Sequence, residues 1–250
     1  MAAATPLAIF AHRLGRAYGP DSSRQALSRS LARPLDGLET DCCLTADGEI
    51  VLLHDPLLAL GTTASGWAYE RTAAQILAAR LRDREGKPSQ QRPMLLDELL
   101  GLAPPDLTLQ IEIKAHADPT LAVRTARAVC ERLAEHPARA RSEILSFWSD
   151  ACHLAAGRGF NARLVIVADY RIDALTTWAK RIGLYGVCVE HFLLSAPLVT
   201  ALRQAGLSVT TGTVNHPEIL APLARLRLDA VTSDCPHELR AALAELPVAA

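Results

Sequence analysis

Short apolar runs rich in β-branched residues alternate with helix-like stretches over almost the whole chain, and this rhythm restricts the fold more than any other feature. Eight strand candidates can be placed, at residues 7–11, 37–43, 107–114, 143–147, 163–168, 186–189, 208–213 and 230–232. Helical patterns fall between them. One covers 120–135, with Leu121, Val123, Ala128 and Leu133 as apolar positions, and another covers 196–205 and ends at Gly206. Eight βα units in 250 residues match an α/β (β/α)8 TIM barrel, whose usual length is about 250 residues. A doubly wound open sheet would carry a G-x-G-x-x-G loop after its first strand, and this chain has none. The rhythm breaks between His54 and Pro105. There the chain has an extra strand-like run at 50–54, a turn rich in Gly, Thr and Ser at 61–66, and a basic linker with proline at 80–93. We expect one domain, residues 1–250, with a small insertion at about 55–105 over the barrel mouth, after the second βα unit begins.

Composition narrows the partners. Lys and Arg total 26 against 27 Asp and Glu, so no broad basic surface is available and no nucleic-acid partner is expected. If the substrate is an anion, local residues must supply the positive charge. The six cysteines show no C-x-x-C pair and no regular spacing, which argues for reduced, mostly buried thiols and against a zinc module or disulfide framework. The first ten residues lack a basic, then apolar leader pattern, and no later apolar run reaches about 18 residues. A cytoplasmic location without a stable membrane anchor is the expectation; the sequence carries no signal for oligomeric state.

The strand at 107–114 alternates completely: Leu107, Leu109, Ile111 and Ile113 point one way, and Thr108, Gln110, Glu112 and Lys114 the other. In a barrel the apolar set would face the helices and the polar set the lumen. A lumenal Glu and Lys at the strand's C-terminal end imply a ligand, or an internal Glu112–Lys114 ion pair. Glu39 and Asp41 likewise share a face at the end of the second strand. Two carboxylates that close repel each other, and a hard divalent cation, Mg²⁺ or Ca²⁺, would remove that repulsion, with Glu112 as a third oxygen donor. His12 follows the first strand and His54 ends the run at 50–54, a placement suited to a reaction that needs both a general base and a general acid near neutral pH. His191, at a strand end, is a candidate pocket-lining residue. His116, His136, His153, His216 and His237 lie in helix-like or turn contexts and are expected to be structural.

These pieces also carry a resemblance. His12-Arg13-Leu14-Gly15, Pro20-Asp21-Ser22-Ser23, Leu38-Glu39-Thr40-Asp41, Asp47-Gly48, His54-Asp55-Pro56 and Ile111-Glu112-Ile113-Lys114 resemble, in order, the HRG, P-E-N-T, E-x-D, D-G, H-D-P and E-I-K motifs of the glycerophosphodiester phosphodiesterase family. A weaker likeness continues through Thr213-Val214-Asn215 and Ser233-Asp234-Cys235-Pro236. The resemblance implies a TIM-type barrel with a small insertion after the H-D-P run, Glu39, Asp41 and Glu112 as ligands of one divalent cation, His12 and His54 as the acid–base pair, and Arg13 and Lys114 as contacts of the substrate phosphate. The reaction implied is hydrolysis of a small glycerophosphodiester to sn-glycerol 3-phosphate and an alcohol, the attacking oxygen coming from water or from a neighbouring substrate hydroxyl. Leu14, Asp21 and Gly212 depart from the family pattern, where glycine, glutamate and an aromatic residue are common. Two alternatives keep the barrel. A lysophospholipase D-type or other phospholipid phosphodiesterase would need an apolar entrance, for which Leu57, Leu58, Leu60 and Trp67 are candidates; a non-catalytic phosphate-ester-binding barrel would not need all five acid–base and ligand residues, which are present.

Overall fold

The computed structural model describes residues 7–168 and 170–245; residues 1–6 of the N-terminal segment read above therefore lie outside the described residues. Nine strands occur among the described residues, β1 (Ala8–Ala11), β2 (Gly37–Leu44), β3 (Ile50–Leu52), β4 (Thr108–Ile113), β5 (Ser142–Ser146), β6 (Asn161–Ile166), β7 (Gly186–Val189), β8 (Ser208–Thr211) and β9 (Ala230–Ser233). All but β3 are parallel to their neighbours, in the order β1-β9-β8-β7-β6-β5-β4-β2, and a β1–β2 pairing closes the circle. The result is a closed barrel of eight parallel strands with helices between them, a (β/α)8 fold. The strand candidates match β1, β2 and β4–β9 to within a few residues at their ends.

The alternation in β4 does what its period requires. Leu109, Ile111 and Ile113 join the main apolar core with Leu121, Ala122, Val129 and Leu133 of the helix Pro119–Leu133, while Gln110 and Glu112 take the other face. Asp118 starts that helix by accepting hydrogen bonds from the Thr120 and Leu121 amides, which satisfies two donors that the first turn leaves unpaired. Low in the lumen the filling is polar. Arg163, 2% exposed, donates twice to Glu143, at 2.7 and 2.9 Å, and Gln110 donates to the same carboxylate at 2.8 Å. This is unlike the branched apolar layers usual in such barrels.

The extra run is β3, and it explains how His54 reaches the mouth. β2 has eight residues and β1 four; β1 pairs with Gly37 and Leu38, and the C-terminal end of β2 pairs antiparallel with β3, Cys42 opposite Leu52 and Leu44 opposite Ile50. The hairpin turn uses Gly48 at φ 84°, a left-handed conformation that glycine adopts without steric cost. The chain then runs back toward the barrel, and the Leu53 amide donates to the Asp41 carbonyl. Beyond it, Leu58, Ala68, Ile76 and Leu81 form a small core of their own with Cys43, Val51 and Leu53, and the helix Leu96–Leu102 returns to the main core through Leu96, Leu99 and Leu100. All six cysteines are unpaired, four of them buried. Among the described residues no helix is long and apolar enough to cross a membrane.

Candidate active site

Strand register assembles the acids. Asp41 on β2 is the pairing partner of Glu112 on β4, so their side chains leave adjacent strands on the same face, and Glu39 lies two residues earlier on that face. One carboxylate oxygen from each of Glu39, Asp41 and Glu112 lies within 4.8 Å of the others. At that separation each ionised pair repels by about 3 kcal/mol for an effective dielectric of about 20. The electrostatics show the strain. Burial, and then the charge of Asp41, push Glu39 up to about 8. Burial also works against ionised Asp41, but the Lys114 ammonium and the Arg13 guanidinium outweigh it and hold that carboxyl at about 2. Burial raises Glu112 despite the opposing pull of Lys114. Asp41 Oδ2 is buried without a hydrogen-bond donor. An all-oxygen set with an unmatched buried oxygen and a surplus of negative charge fits a hard divalent cation.

A sharp turn at the end of β1 brings the first motif to this cluster. Arg13 and Leu14 have φ of 48° and 63° and are followed by Gly15 at 97°, a left-handed run that costs non-glycine residues energy and persists only when the surroundings hold it. Leu14, where the family pattern often has glycine, is fully buried in the core, and the Arg13 amide donates to Glu39 at 2.8 Å. The Arg13 guanidinium donates to Asp21 at 2.6 Å, so the residue that departs from P-E-N-T is its partner. Lys114 lies 3.1 Å from Asp41 and also binds Glu112. The internal Glu112–Lys114 pair posed as the alternative to a ligand site is therefore present, and it lies inside the acidic cluster.

His12 Nδ1 is 2.7 Å from Asp234 Oδ1, and its Nε2 faces Glu39 at 3.9 Å. Burial would lower the His12 pKa, but the bond to Asp234 and the charge of Glu39 override it and raise the pKa. Asn215 holds Asp234 in turn, donating to Oδ2 at 2.9 Å and accepting from the Asp234 amide at 2.8 Å. His54 lies 3.1 Å from Asp55. The bond to His54 holds the Asp55 carboxyl below its ordinary value.

The seven residues expected to serve catalysis, the cation or the phosphate (His12, His54, Glu39, Asp41, Glu112, Arg13 and Lys114) line one cavity of about 170 Å³, together with Phe147, Cys188, Glu190 and Thr213. Asp234 and Glu190 were not among the expected site residues. Ser233-Asp234 was visible as text after the last strand, but nothing local tied it to His12. His191, expected to line the pocket, lies in the short turn His191–Leu193 against Phe192, and its neighbour Glu190 lines the cavity instead. His116, expected to be structural, borders an adjoining cavity. Of the four residues suggested for an apolar entrance, Leu58 is 1% exposed inside the small core, and only Leu60, at 60%, is strongly exposed. Gly212 is constrained: a Cβ there would meet Thr232 Oγ1 at 1.9 Å, so the aromatic residue common at this position would not fit without rearrangement.

Comparison with known proteins gives a consistent picture. A model of the Glycerophosphoryl diester phosphodiesterase family matches residues 12–238. A glycerophosphodiester phosphodiesterase of Caldanaerobacter subterraneus subsp. tengcongensis is 24% identical over 235 residues, 92% of this chain and 95% of the relative. Among solved structures, an Oleispira antarctica phosphodiesterase in complex with the product sn-glycerol-3-phosphate superposes with a TM-score of 0.85 at 22% identity, covering 95% of this chain and 97% of that one. A glycerophosphodiester phosphodiesterase from Thermotoga maritima gives 0.75 at 20% identity, covering 92% and 95%. At these identities the structural likeness speaks for the fold.

Proposed function

This chain belongs to the glycerophosphoryl diester phosphodiesterase family and is an enzyme, a phosphoric diester hydrolase; from that premise we propose that it hydrolyses small glycerophosphodiesters to sn-glycerol 3-phosphate and an alcohol with the help of one divalent cation, Mg²⁺ or Ca²⁺. The observation that carries this reading is the convergence of Glu39, Asp41 and Glu112 with His12 and His54 on one cavity. The product named with the Oleispira antarctica structure supports the choice of substrate.

In this reading Glu39, Asp41 and Glu112 hold the cation. When bound, it supplies positive charge that polarises a phosphoryl oxygen and lowers the cost of ionising the nucleophile. Arg13 and Lys114 line the same cavity and add fixed cationic charge where the phosphodiester gains negative charge on the way to its transition state. His12 is the general base. With Nδ1 engaged by Asp234, Nε2 is the nitrogen that takes the proton from the attacking oxygen, and the carboxylate stabilises the imidazolium that results. His54 is the general acid: it borders the outer cavities as well as the central one, and it hands a proton to the alkoxide as the phosphorus–oxygen bond breaks. The whole chain acts as one domain, with the segment from about residue 55 to 105 as its insertion over the mouth. A cytoplasmic setting, in which six unpaired cysteines stay reduced, belongs to the same reading.

Product analysis over a panel of water-soluble glycerophosphodiesters and micellar lysophospholipids, with and without added metal, tests it. Release of sn-glycerol 3-phosphate from the soluble esters, dependent on metal, is the expected result. Cleavage confined to the lysolipids would replace the substrate class, and full activity in a metal-free sample would remove the cation from the mechanism.

A further inference from the structure

The barrel's other end, where the strands begin, holds a cavity of about 390 Å³, within the range of roughly 300–1,000 Å³ usual for small-molecule sites. Thr108, which opens β4, and Ala230, which opens β9, border it, whereas Glu112 lies at the far end of β4. Three carboxylates also border it, and each already has an arginine and further donors. Arg163 and Gln110 hold Glu143, Arg240 and the Ile9 amide hold Asp36, and Arg203, Ser208 and the Val209 amide hold Asp229. Charge is therefore balanced pair by pair.

What the lining leaves open is donors. Among the described residues, Arg163 Nη1 and Arg240 Nε are buried without a hydrogen-bond partner, and both side chains border the cavity. A buried donor left unmatched is costly, so an acceptor supplied from outside would be bound favourably. The wall beside these donors is aromatic: the Arg163 guanidinium lies over the Tyr185 ring, 4.7 Å from its centroid, Tyr185 is 40% exposed, and Phe10 borders the same space. A cation would find every acid already taken. A dianion such as phosphate would stand among three carboxylates. A monocarboxylate brings one charge and two acceptor oxygens for the two open donors, and a flat apolar body attached to it can pack on the aromatic wall. We propose that this cavity is a second binding site, separate from the catalytic mouth, and that it takes a small aromatic monocarboxylate with its carboxylate toward Arg163 and Arg240.

Isothermal titration of the full-length protein with benzoate tests the site, with benzyl alcohol as its uncharged counterpart and inorganic phosphate as an anion without a ring. Benzoate should bind with a Kd of about 1 mM or tighter, the other two at least about tenfold more weakly, and an excess of sn-glycerol 3-phosphate should not displace it. Arg240→Gln and Tyr185→Leu lie outside the catalytic machinery. Each should weaken benzoate binding by about tenfold while urea unfolding stays cooperative and kcat/KM on glycerophosphodiesters stays unchanged. No heat from benzoate, equal binding of benzyl alcohol or phosphate, displacement by sn-glycerol 3-phosphate, or undiminished binding in both variants overturns the assignment; each of these outcomes leaves the phosphodiesterase reading standing.

Discussion

Asp234 and His12 stand 222 positions apart in the chain and 2.7 Å apart in the fold. The contact exists because β9 pairs with β1 in parallel, Ala11 opposite Ser233, so the residues that follow the two strands emerge side by side at the mouth. The carboxylate fixes which ring nitrogen faces the cavity, as the buried aspartate of a Ser-His-Asp triad does.

Asp234→Asn should therefore lower kcat by about 10²- to 10⁴-fold. It should also move a limb of the pH–rate profile. The hydrogen bond to the Asp234 carboxylate raises the His12 pKa, so replacing that carboxylate by a neutral amide lowers it, and the limb that reports His12 shifts toward acid. With His12 as base, this is the rising, acidic limb. Steady-state rates across pH check both effects, and a profile unchanged in shape would separate Asp234 from the function of His12.

His12→Ala and His54→Ala should each cost about a hundredfold or more in kcat, the usual size of a general acid or base contribution. Wild-type rates in either variant would take that histidine out of the mechanism. Imidazole added to the buffer offers a second readout, since a small base can enter the space left at His12.

Cation binding should be visible without turnover. Mg²⁺ or Ca²⁺ at about a hundred times its Kd stabilises the folded state by about 2.7 kcal/mol, which for a chain of this length raises Tm by roughly 5–10 °C. Asp41→Asn or Glu112→Gln should abolish the rise. A metal-induced shift that survives in both variants would place the cation elsewhere.

The ion pair low in the barrel serves stability. Arg163→Leu strands the buried Glu143 carboxylate without its guanidinium and should cost about 3–5 kcal/mol, because removing one member of a buried pair leaves an uncompensated charge. Glu143→Leu combined with Arg163→Leu should recover part of that loss. Urea denaturation of the two variants measures the difference, and similar values for both would deny the pair its role.

Much of the site was legible because its residues obey local rules. The two-residue period of a strand put Glu39 beside Asp41 and Glu112 beside Lys114, and the same period in β4 separated the core face from the lumen face. The H-D-P and HRG runs stood at strand ends, where a (β/α)8 barrel keeps its chemistry. The expectation about His191 differed from the structure because a loop residue's direction depends on the turn that carries it. His191 gave way to Glu190, while His116, at φ 44°, packs on Trp67 of another segment.

The chain's periodicity by itself determined the kind of fold, the face each strand turns to the lumen, and the identity of the acids and histidines at the strand ends, since these depend on spacing within a few residues. Only the closed barrel decided which of those groups meet. The pairing of β1 with β9, the register of Asp41 against Glu112 and the return of β3 toward the barrel are contacts between distant segments. They are set by backbone hydrogen bonding around the whole ring of strands, and no short stretch of sequence contains them.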